Sequence, residues 1–404
     1  MKAEKRVCII TQSHLCRNPR VLKEAITLST NGYEVIILTS IYSTELYKQD
    51  LNLIKNHPIK IIIVSDLIIN GLSSFIYKAF KKLGNILVKK LGIETSLALG
   101  YGSFNYFHKA MRLRADLYVC HQELATYIGN KLIKQGFKVA FDIEDWYSED
   151  LLPDARADRP IKLLKESEQR ALANGIFSLT TSNTLAEKLS DTFNVKRPFT
   201  VYNVFPSHHN LLNKQHNFSG AIKLFWFSQT IGPGRGLEQF IEIIKQFDLL
   251  LELHLLGNVD TEYQNQLEKL MDKKHPLTFH ELVDEKDLAE KIAKFDIGLA
   301  LELNNPPSRN FTITNKFFQY LQSGLPIIAS KTDGQDEAFD QFNPGFKLSQ
   351  NPANSEVEEL KQWLNNKEAL HKARQNAVKA AYFYNWENES VKLIGIIKNH
   401  LDAG

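Results

Sequence analysis

Two doubly wound α/β halves, each built on a parallel sheet, are the fold class this 404-residue sequence predicts. Three observations carry that reading. Short apolar strand candidates alternate with helical stretches from residue 6 to residue 203, the alternation breaks in a polar run after Pro206, and it resumes at Lys223. A strand, a helix and a second strand in succession need a crossover connection, so repeated units of this kind imply parallel pairing. The chain is also too long for one ordinary core.

Residues 6–13, RVCIITQS, are a continuous apolar run that ends in polar turn residues, the pattern of a buried strand. A helix is predicted from about Pro19, where proline suits a first turn, to a stop at Asn31-Gly32, and residues 33–39 follow as the next strand. Further strands are expected in IKIIIVS (59–65), DLYVCHQ (116–122), KVAFDIE (138–144), FSLTTSN (177–183) and FTVYN (199–203). The polar run SHHNLLNKQHNFSG, 207–220, reads as a linker. Beyond it come KLFWFS (223–228), LELHLLG (251–257), PLTFHEL (276–282), FDIGLAL (295–301) and LPIIAS (325–330). The expected domains are residues 1–205 and 206–385, with a terminal helix in 386–404 that packs on either half, the first being the assignment made here.

Hydrophobic residues at 43% and charged residues at 24% give the balance of a folded globular protein. A net charge of +3 is too small for a nucleic-acid-binding domain. Cys8, Cys16 and Cys120 form neither an even disulfide framework nor a metal-ligand spacing, which fits a reducing compartment. The opening residues carry Glu4 in their charged part and only a short apolar stretch, unlike a signal peptide. No segment reaches the roughly 18 apolar residues that span a bilayer, so a cytoplasmic location is expected.

Ser73–Lys90 stands apart. Phe75, Ile76, Ala79, Phe80, Leu83, Ile86 and Leu87 fall at helical spacing, with Lys78, Lys81, Lys82, Lys89 and Lys90 around them. Such a helix suits the inner face of an anionic membrane or a lipid-borne substrate; equally, it suits a docked surface helix whose lysines face water.

Two loops carry candidate chemistry. In SQTIGPGRGLEQF, 228–240, Leu237, Phe240, Ile241 and Ile244 repeat with helical spacing, so a helix starts close to Gly236. Gly232, Gly234 and Gly236 then lie in a strand-to-helix loop able to bring backbone amides to a ligand, and Arg235 adds a bidentate cation beside a helix N-terminus. That describes a diphosphate site, or else a plain glycine turn with a surface arginine. The second loop lies in FDIGLALELNNPPSRNFTITNKFFQYLQSGLPIIAS, where Thr312 and Thr314 are candidate N-caps and Gly324-Leu325-Pro326 closes the helix. Amides around Thr312, Ile313 and Thr314 would face the strand-end edge, and Lys316 and Gln319 share one helix face.

SQTIGPGRGLEQFIEII, NKFFQYLQSGLPIIAS and NPRVLKEAITLSTNGYEVIILTS resemble segments of GT-B glycosyltransferases, in particular family 4 enzymes of the bacterial surface-polysaccharide type. FDIEDWYSEDL and the TSNTLAEKLSDTFNV region are similar to that family's middle part, and the ordered set spans nearly the whole chain. The resemblance implies two Rossmann-like domains around a cleft, with a nucleotide-sugar held by the second. It implies that Arg235 stabilises the departing diphosphate and that Gly232, Gly234, Gly236 and the amides of Thr312, Ile313 and Thr314 bind phosphate. Lys316 would face the phosphates or the donor sugar. Gln319 stands where the family has the second glutamate of an E-x7-E motif, a ribose ligand, and the base would lie near His280–Val283. Two departures affect this site. The motif's first glutamate aligns with Phe311, and the usual Gly-Arg-Leu is Ser228-Gln229-Thr230.

FDIEDWYSE resembles an Asp-x-His-Glu segment, with Glu144 at the histidine's position and Asp145 at the following acid. Retention of configuration is expected, the phosphate oxygen taking the acceptor proton; in an inverting reaction Glu144 or Asp145 would take it. Asp142, Glu144 and Asp145 also read as an ordinary solvated strand end. Arg17, Asn18 and Arg20 would meet a phosphate from the other side of the cleft, or simply start a helix. His121, with Gln122 and Glu123, would line an acceptor pocket. No spacing suggests zinc, and the reaction is expected to run without a metal or cofactor, the nucleotide-sugar being a co-substrate. The expected partners are that donor and a saccharide or lipid-linked saccharide acceptor, with no nucleic acid. A sugar-nucleotide epimerase of the same architecture and an inactive binding protein are the competing readings.

Overall fold

The computed structural model describes residues 5–69, 71–214 and 216–401. Glu4, Gln215 of the expected linker and residues 402–404 of the terminal helix lie outside the described residues. The chain divides into two compact units: Met1–Val201 together with the chain from Ser390 onward, and Tyr202–Glu389.

The first unit is a sheet of seven parallel strands: β1 (Arg6–Ile10), β2 (Glu34–Ile41), β3 (Ile59–Asp66), β4 (Leu117–His121), β5 (Val139–Ile143), β6 (Ser178–Thr180) and β7 (Phe199–Thr200). Their order is β3-β2-β1-β4-β5-β6-β7, every neighbouring pair parallel. β4 and β5 are buried along their whole length, which is why they read as unbroken apolar runs rather than alternating ones. The expected FTVYN strand keeps only two residues, because the boundary between units falls directly after Val201.

The second unit has six parallel strands: β8 (Ile222–Ile231), β9 (Leu251–Val259), β10 (Leu277–His280), β11 (Ile297–Ala300), β12 (Ile327–Ser330) and β13 (Gly345–Leu348), in the order β10-β9-β8-β11-β12-β13. In both units the order reverses beside the first strand. Connections there leave on opposite faces of the sheet, and the strand C-termini open a crevice. β8 runs on through Ser228-Gln229-Thr230 with a register slip against β9, so the glycine loop begins only at Gly232. β13, with the short mixed sequence GFKL, went unread. The presumed linker is not free chain: it holds the short helix His209–Leu212, and Phe218 packs in the core of the second unit.

Helix Leu72–Leu91 docks on the first unit by the face opposite to its apolar stripe. Ser74, Gly84 and Val88 are buried, whereas Phe75 (70% exposed), Phe80, Leu83 and Ile86 face outward. The Lys81 amine turns inward to the Ala98 carbonyl. Among the described residues, no helix is long and apolar enough to cross a membrane.

Candidate active site

In the second unit the crevice is edged by the loops after β8 and β11, the two strands at the reversal. Residues 232–236 turn into helix Leu237–Ile244, and Gly236 at its N-cap has φ +79°, a left-handed geometry that glycine adopts without strain. Beside it, Arg235 Nη1 lies 3.3 Å from Oε2 of Glu302, a residue just past β11. From the next turn of chain, Lys316 Nζ lies 3.3 Å from Oε1 of the same carboxylate. Two cations from two loops therefore meet on one anion. A third, Arg309, donates to the Gly234 carbonyl at 3.1 Å.

Packing fixes this meeting. Lys316 opens helix Asn315–Gln322, and Tyr320, one turn on, places its hydroxyl 3.0 Å from the Phe225 carbonyl of β8 and 3.2 Å from the Leu299 carbonyl of β11. The Tyr320 ring crosses β11 so closely at Gly298 that a Cβ there would lie 2.2 Å from it, so that position accepts only glycine. The Lys316 ammonium sits 5.2 Å from the ring centroid of buried Trp226, a cation–π distance. Glu302 is only 7% exposed, and its backbone N–H donates to Ser330 Oγ at 3.0 Å. Burial alone would push the Glu302 carboxyl up; Lys316, Arg235 and Arg309 outweigh it and hold the group below its ordinary value. Burial takes the Lys316 amine down, and the attraction of Glu302 recovers only part of that.

The cap assignments need correction. Thr312 closes the short helix Ser308–Phe311 and caps nothing. Thr314 does precede helix Asn315–Gln322, but its side chain makes no capping bond, so the first-turn amides have no side-chain acceptor from it. Ile313 is buried, Gln319 half-buried, and Gly232 has open space where a Cβ would stand. His280 ends β10, two strands from the reversal, with its Nε2 3.1 Å from His254 Nδ1; Val283 is exposed in the loop beyond. Glu302 and Arg309 were missed in the sequence. Glu302 lies in an apolar run, and no local pattern marks a carboxylate that pairs with residues 67 positions earlier and 14 later.

In the first unit three expected acceptor residues prove to be interior. Arg20 is fully buried: its Nε is 2.6 Å from Asp142 Oδ2 and 3.4 Å from Glu24 Oε1, and Nη1 donates to the Val201 carbonyl at 2.8 Å. His121 is also fully buried, with Nε2 3.0 Å from Glu24 and Nδ1 3.1 Å from Glu144. Asn18 caps helix Pro19–Thr30 through Val21 N–H and reaches Glu144 Oε1 at 3.4 Å. Their positions after β1 and β4 bring them to the crevice end of the sheet, but the turn of each side chain is inward. Arg17 alone of the set is exposed. Asp142 is wholly buried, so a solvated strand end is also excluded there.

These contacts converge on Glu144, whose side chain keeps 16% exposure. Burial would lower the His121 pKa, but Glu24, Glu144 and Asp142 outweigh it and raise the imidazole to about 10, so the ring is a cation, with Nδ1 hydrogen-bonded to Glu144 and Nε2 ion-paired with Glu24. Glu24 rises to about 7 by burial and the nearness of Asp142, against the pull of His121 and Arg20. Asp145, half-buried, rises to about 8 through burial and then the charges of Asp150 and Glu144. Gln122 takes the uncommon φ of +72°; its Oε1 accepts from Gln12 N–H at 2.8 Å and Thr11 Oγ1 at 3.0 Å, tying the ends of β1 and β4 together. Glu24, His121 and Asp142 have ligand-type atoms within 4.8 Å of one another, yet Arg20 already supplies a cation there.

Residues 210–380 match the family described as Glycosyl transferases group 1, a stretch lying wholly inside the second unit. The second unit is similar to that family over this stretch, which is under half of the chain. No curated protein sequence matches the chain. Among solved structures, the chain is similar to sucrose-phosphate synthase from Thermosynechococcus elongatus, with 13% identity over 99% of this chain and 100% of that one and a TM-score of 0.69. Anabaena HepE in complex with UDP-glucose gives 12% identity over 98% and 99%, TM-score 0.67. A variant of S. aureus TarM in complex with Fondaparinux, alpha-GlcNAc-glycerol and UDP gives 11% over 98% and 99%, TM-score 0.62. The two parallel-sheet units and these likenesses establish the GT-B fold, and the family match in the second unit agrees with it.

The interior placement of Arg20 has a measurable consequence. Arg20→Met is expected to cost about 3–5 kcal/mol of stability in denaturant unfolding, the scale of stranding a buried carboxylate. An unchanged unfolding midpoint combined with a raised acceptor KM would return Arg20 to the substrate.

Proposed function

We propose that this protein is a glycosyltransferase that holds a nucleotide diphosphate-sugar on the second unit and passes a hexose-type sugar to a saccharide acceptor, with retention of configuration. The observation that carries the reading is the meeting of Arg235 and Lys316 on one buried carboxylate at the reversal of the sheet. In the reaction the donor's bond from the anomeric carbon to the phosphate oxygen breaks and a bond from that carbon to the acceptor hydroxyl oxygen forms. The nucleoside diphosphate leaves with the bonding pair, so stabilising its growing charge is the main demand on the protein. Arg235 and Lys316 meet that demand, with amides of the 232–236 loop and the first turn of helix Asn315–Gln322 adding partial positive charge. The acceptor proton passes to the departing phosphate oxygen. Glu144, held by His121 and Asn18, positions acceptor hydroxyls. HepE bound to UDP-glucose supports a uridine nucleotide as the first donor to try. No step requires a metal ion.

The acceptor we assign is a growing surface polysaccharide carried on a lipid, with the first unit resting on the inner face of a membrane. Helix Leu72–Leu91 supports this: its apolar stripe faces outward beside exposed Lys78, Lys82 and Lys90. A helix docked only for stability would bury that stripe.

Arg235→Ala is expected to reduce nucleoside diphosphate release from UDP-glucose and a saccharide acceptor by about 10²-fold or more. Wild-type turnover in that variant would remove Arg235 from the reaction, and conversion of the donor without any acceptor would identify an epimerase instead. Turnover should persist in excess chelator; its loss would reveal a required metal. Replacing Phe75 and Phe80 with glutamate should abolish co-sedimentation with anionic phospholipid vesicles, and unchanged sedimentation would retire the membrane contact.

A further inference from the structure

We propose that Glu302 is a working part of the diphosphate site: a buried counter-anion that holds the Lys316 ammonium and the Arg235 guanidinium in place while the site is empty, and shares them with the diphosphate that enters. This rests on the donor reading of the second unit. The carboxylate gives one oxygen to each cation, at 3.3 Å in both cases. Its own backbone N–H is anchored on Ser330 Oγ, which fixes the carboxylate relative to β12.

The two cations differ in how much they need it. Arg235 is about one-third exposed, so water shares in solvating its guanidinium. Lys316 is almost wholly enclosed, under Trp226 and between helix Asn315–Gln322 and the sheet. An enclosed ammonium without a counter-ion gives up its proton rather than remain as a bare charge. The other charged groups acting on Lys316 are Arg235 and Arg309, both cations and both pushing it the same way. Glu302 is thus the group that opposes burial and the two guanidinium ions together. A neutral Lys316 amine would offer a diphosphate far less than an ammonium, so the anion in the empty site preserves the cation for the filled one. The geometry is also one of exchange. Arg235 lies at the exposed end of the trio, free to pivot toward an incoming phosphate while Lys316 stays on the other carboxylate oxygen.

Glu302→Gln keeps the shape and removes the charge. In the ligand-free protein, its unfolding stability relative to wild type should rise with pH below the ordinary lysine pKa of about 10.4. The reason is that the folded-state pKa of Lys316 falls further below its unfolded value, so the unfolded chain binds more protons over that window. The folded-to-unfolded ratio then gains up to about tenfold per pH unit. The double variant Glu302→Gln, Lys316→Met should lose this slope. UDP-glucose binding, followed by calorimetry at constant ionic strength, should weaken in Glu302→Gln by up to about tenfold per pH unit above the lowered amine pKa, with wild type flat in the same range. A stability loss in Glu302→Gln that is independent of pH, or one that persists with the same slope when Lys316 is methionine, overturns the proposal. Failure of UDP-glucose to bind either protein while the pH-dependent stability difference remains counts against the donor reading and leaves Glu302 as the counter-ion of the empty site.

Discussion

The meeting of buried Glu302 and Lys316 with partly exposed Arg235 is the constraint around which the crevice of the second unit is arranged. It exists because β8 and β11, far apart in sequence, lie side by side where the strand order reverses, so the loop after each opens onto the same crevice. Removing a carboxylate and an ammonium from water costs several kcal/mol per ion, and their attraction does little more than offset it. An apolar trio of similar volume would serve stability as well or better. Stability alone therefore does not account for the charges, and the proposed donor site would; the surrounding structure accommodates them through the Trp226 ring beside the ammonium, the Tyr320 hydroxyl across two strands, and the missing Cβ at Gly298.

The first unit solves a related problem with the opposite sign. Asp142 and Glu144 at the end of β5 meet Glu24 of helix Pro19–Thr30, and Arg20 and His121 are spent inside to keep these carboxylates compatible with burial. The result is graded: Asp142 is enclosed and held below its ordinary value, while Glu144 keeps an exposed edge. An imidazolium with one nitrogen on Glu24 and the other on Glu144 leaves Glu144 little freedom to rotate. A carboxylate fixed in this way can hold acceptor hydroxyls without first being ordered by them.

The sequence makes the architecture readable because a parallel strand buried on both faces is a plain apolar run, and glycine and proline punctuate the rest. Helix Pro19–Thr30 with its Asn31-Gly32 stop, and the start of a helix at Leu237, follow from that punctuation. β13 escaped because a four-residue edge strand has too few residues to establish a period. The loops of the site were readable too, but not the direction of each side chain. Arg20 lies one residue inside a helix whose face is fixed only when β5 and Val201 arrive, more than a hundred residues later. Glu302 required tertiary contacts to two loops, neither of which it resembles in pattern. Thr314 was correctly placed before a helix, but whether a threonine caps depends on a rotamer that sequence does not encode.

Helix Leu72–Leu91 shows the same limit from another side. Its spacing identifies a helix with an apolar stripe, and periodicity cannot say whether the stripe faces in or out. Here the anchoring residues decide. Ser74, Gly84 and Val88 are buried on one side of the helix, and small side chains there let it approach the Ser96–Ala98 turn closely, with the Gly84 Cα position leaving no room for a methyl group against Ala98 N and Leu97. Lys81 belongs to that inward side, and burial lowers its amine to about 8, which removes it from the group of surface lysines. The outward stripe is then large, contiguous and bordered by cations. Leaving it in water forfeits about 1.5–3 kcal/mol for each large side chain that burial would otherwise cover. The close approach at Gly84 fixes which face of the helix docks, and with it the outward direction of Phe75, Phe80 and Leu83, the feature on which the proposed bilayer contact rests.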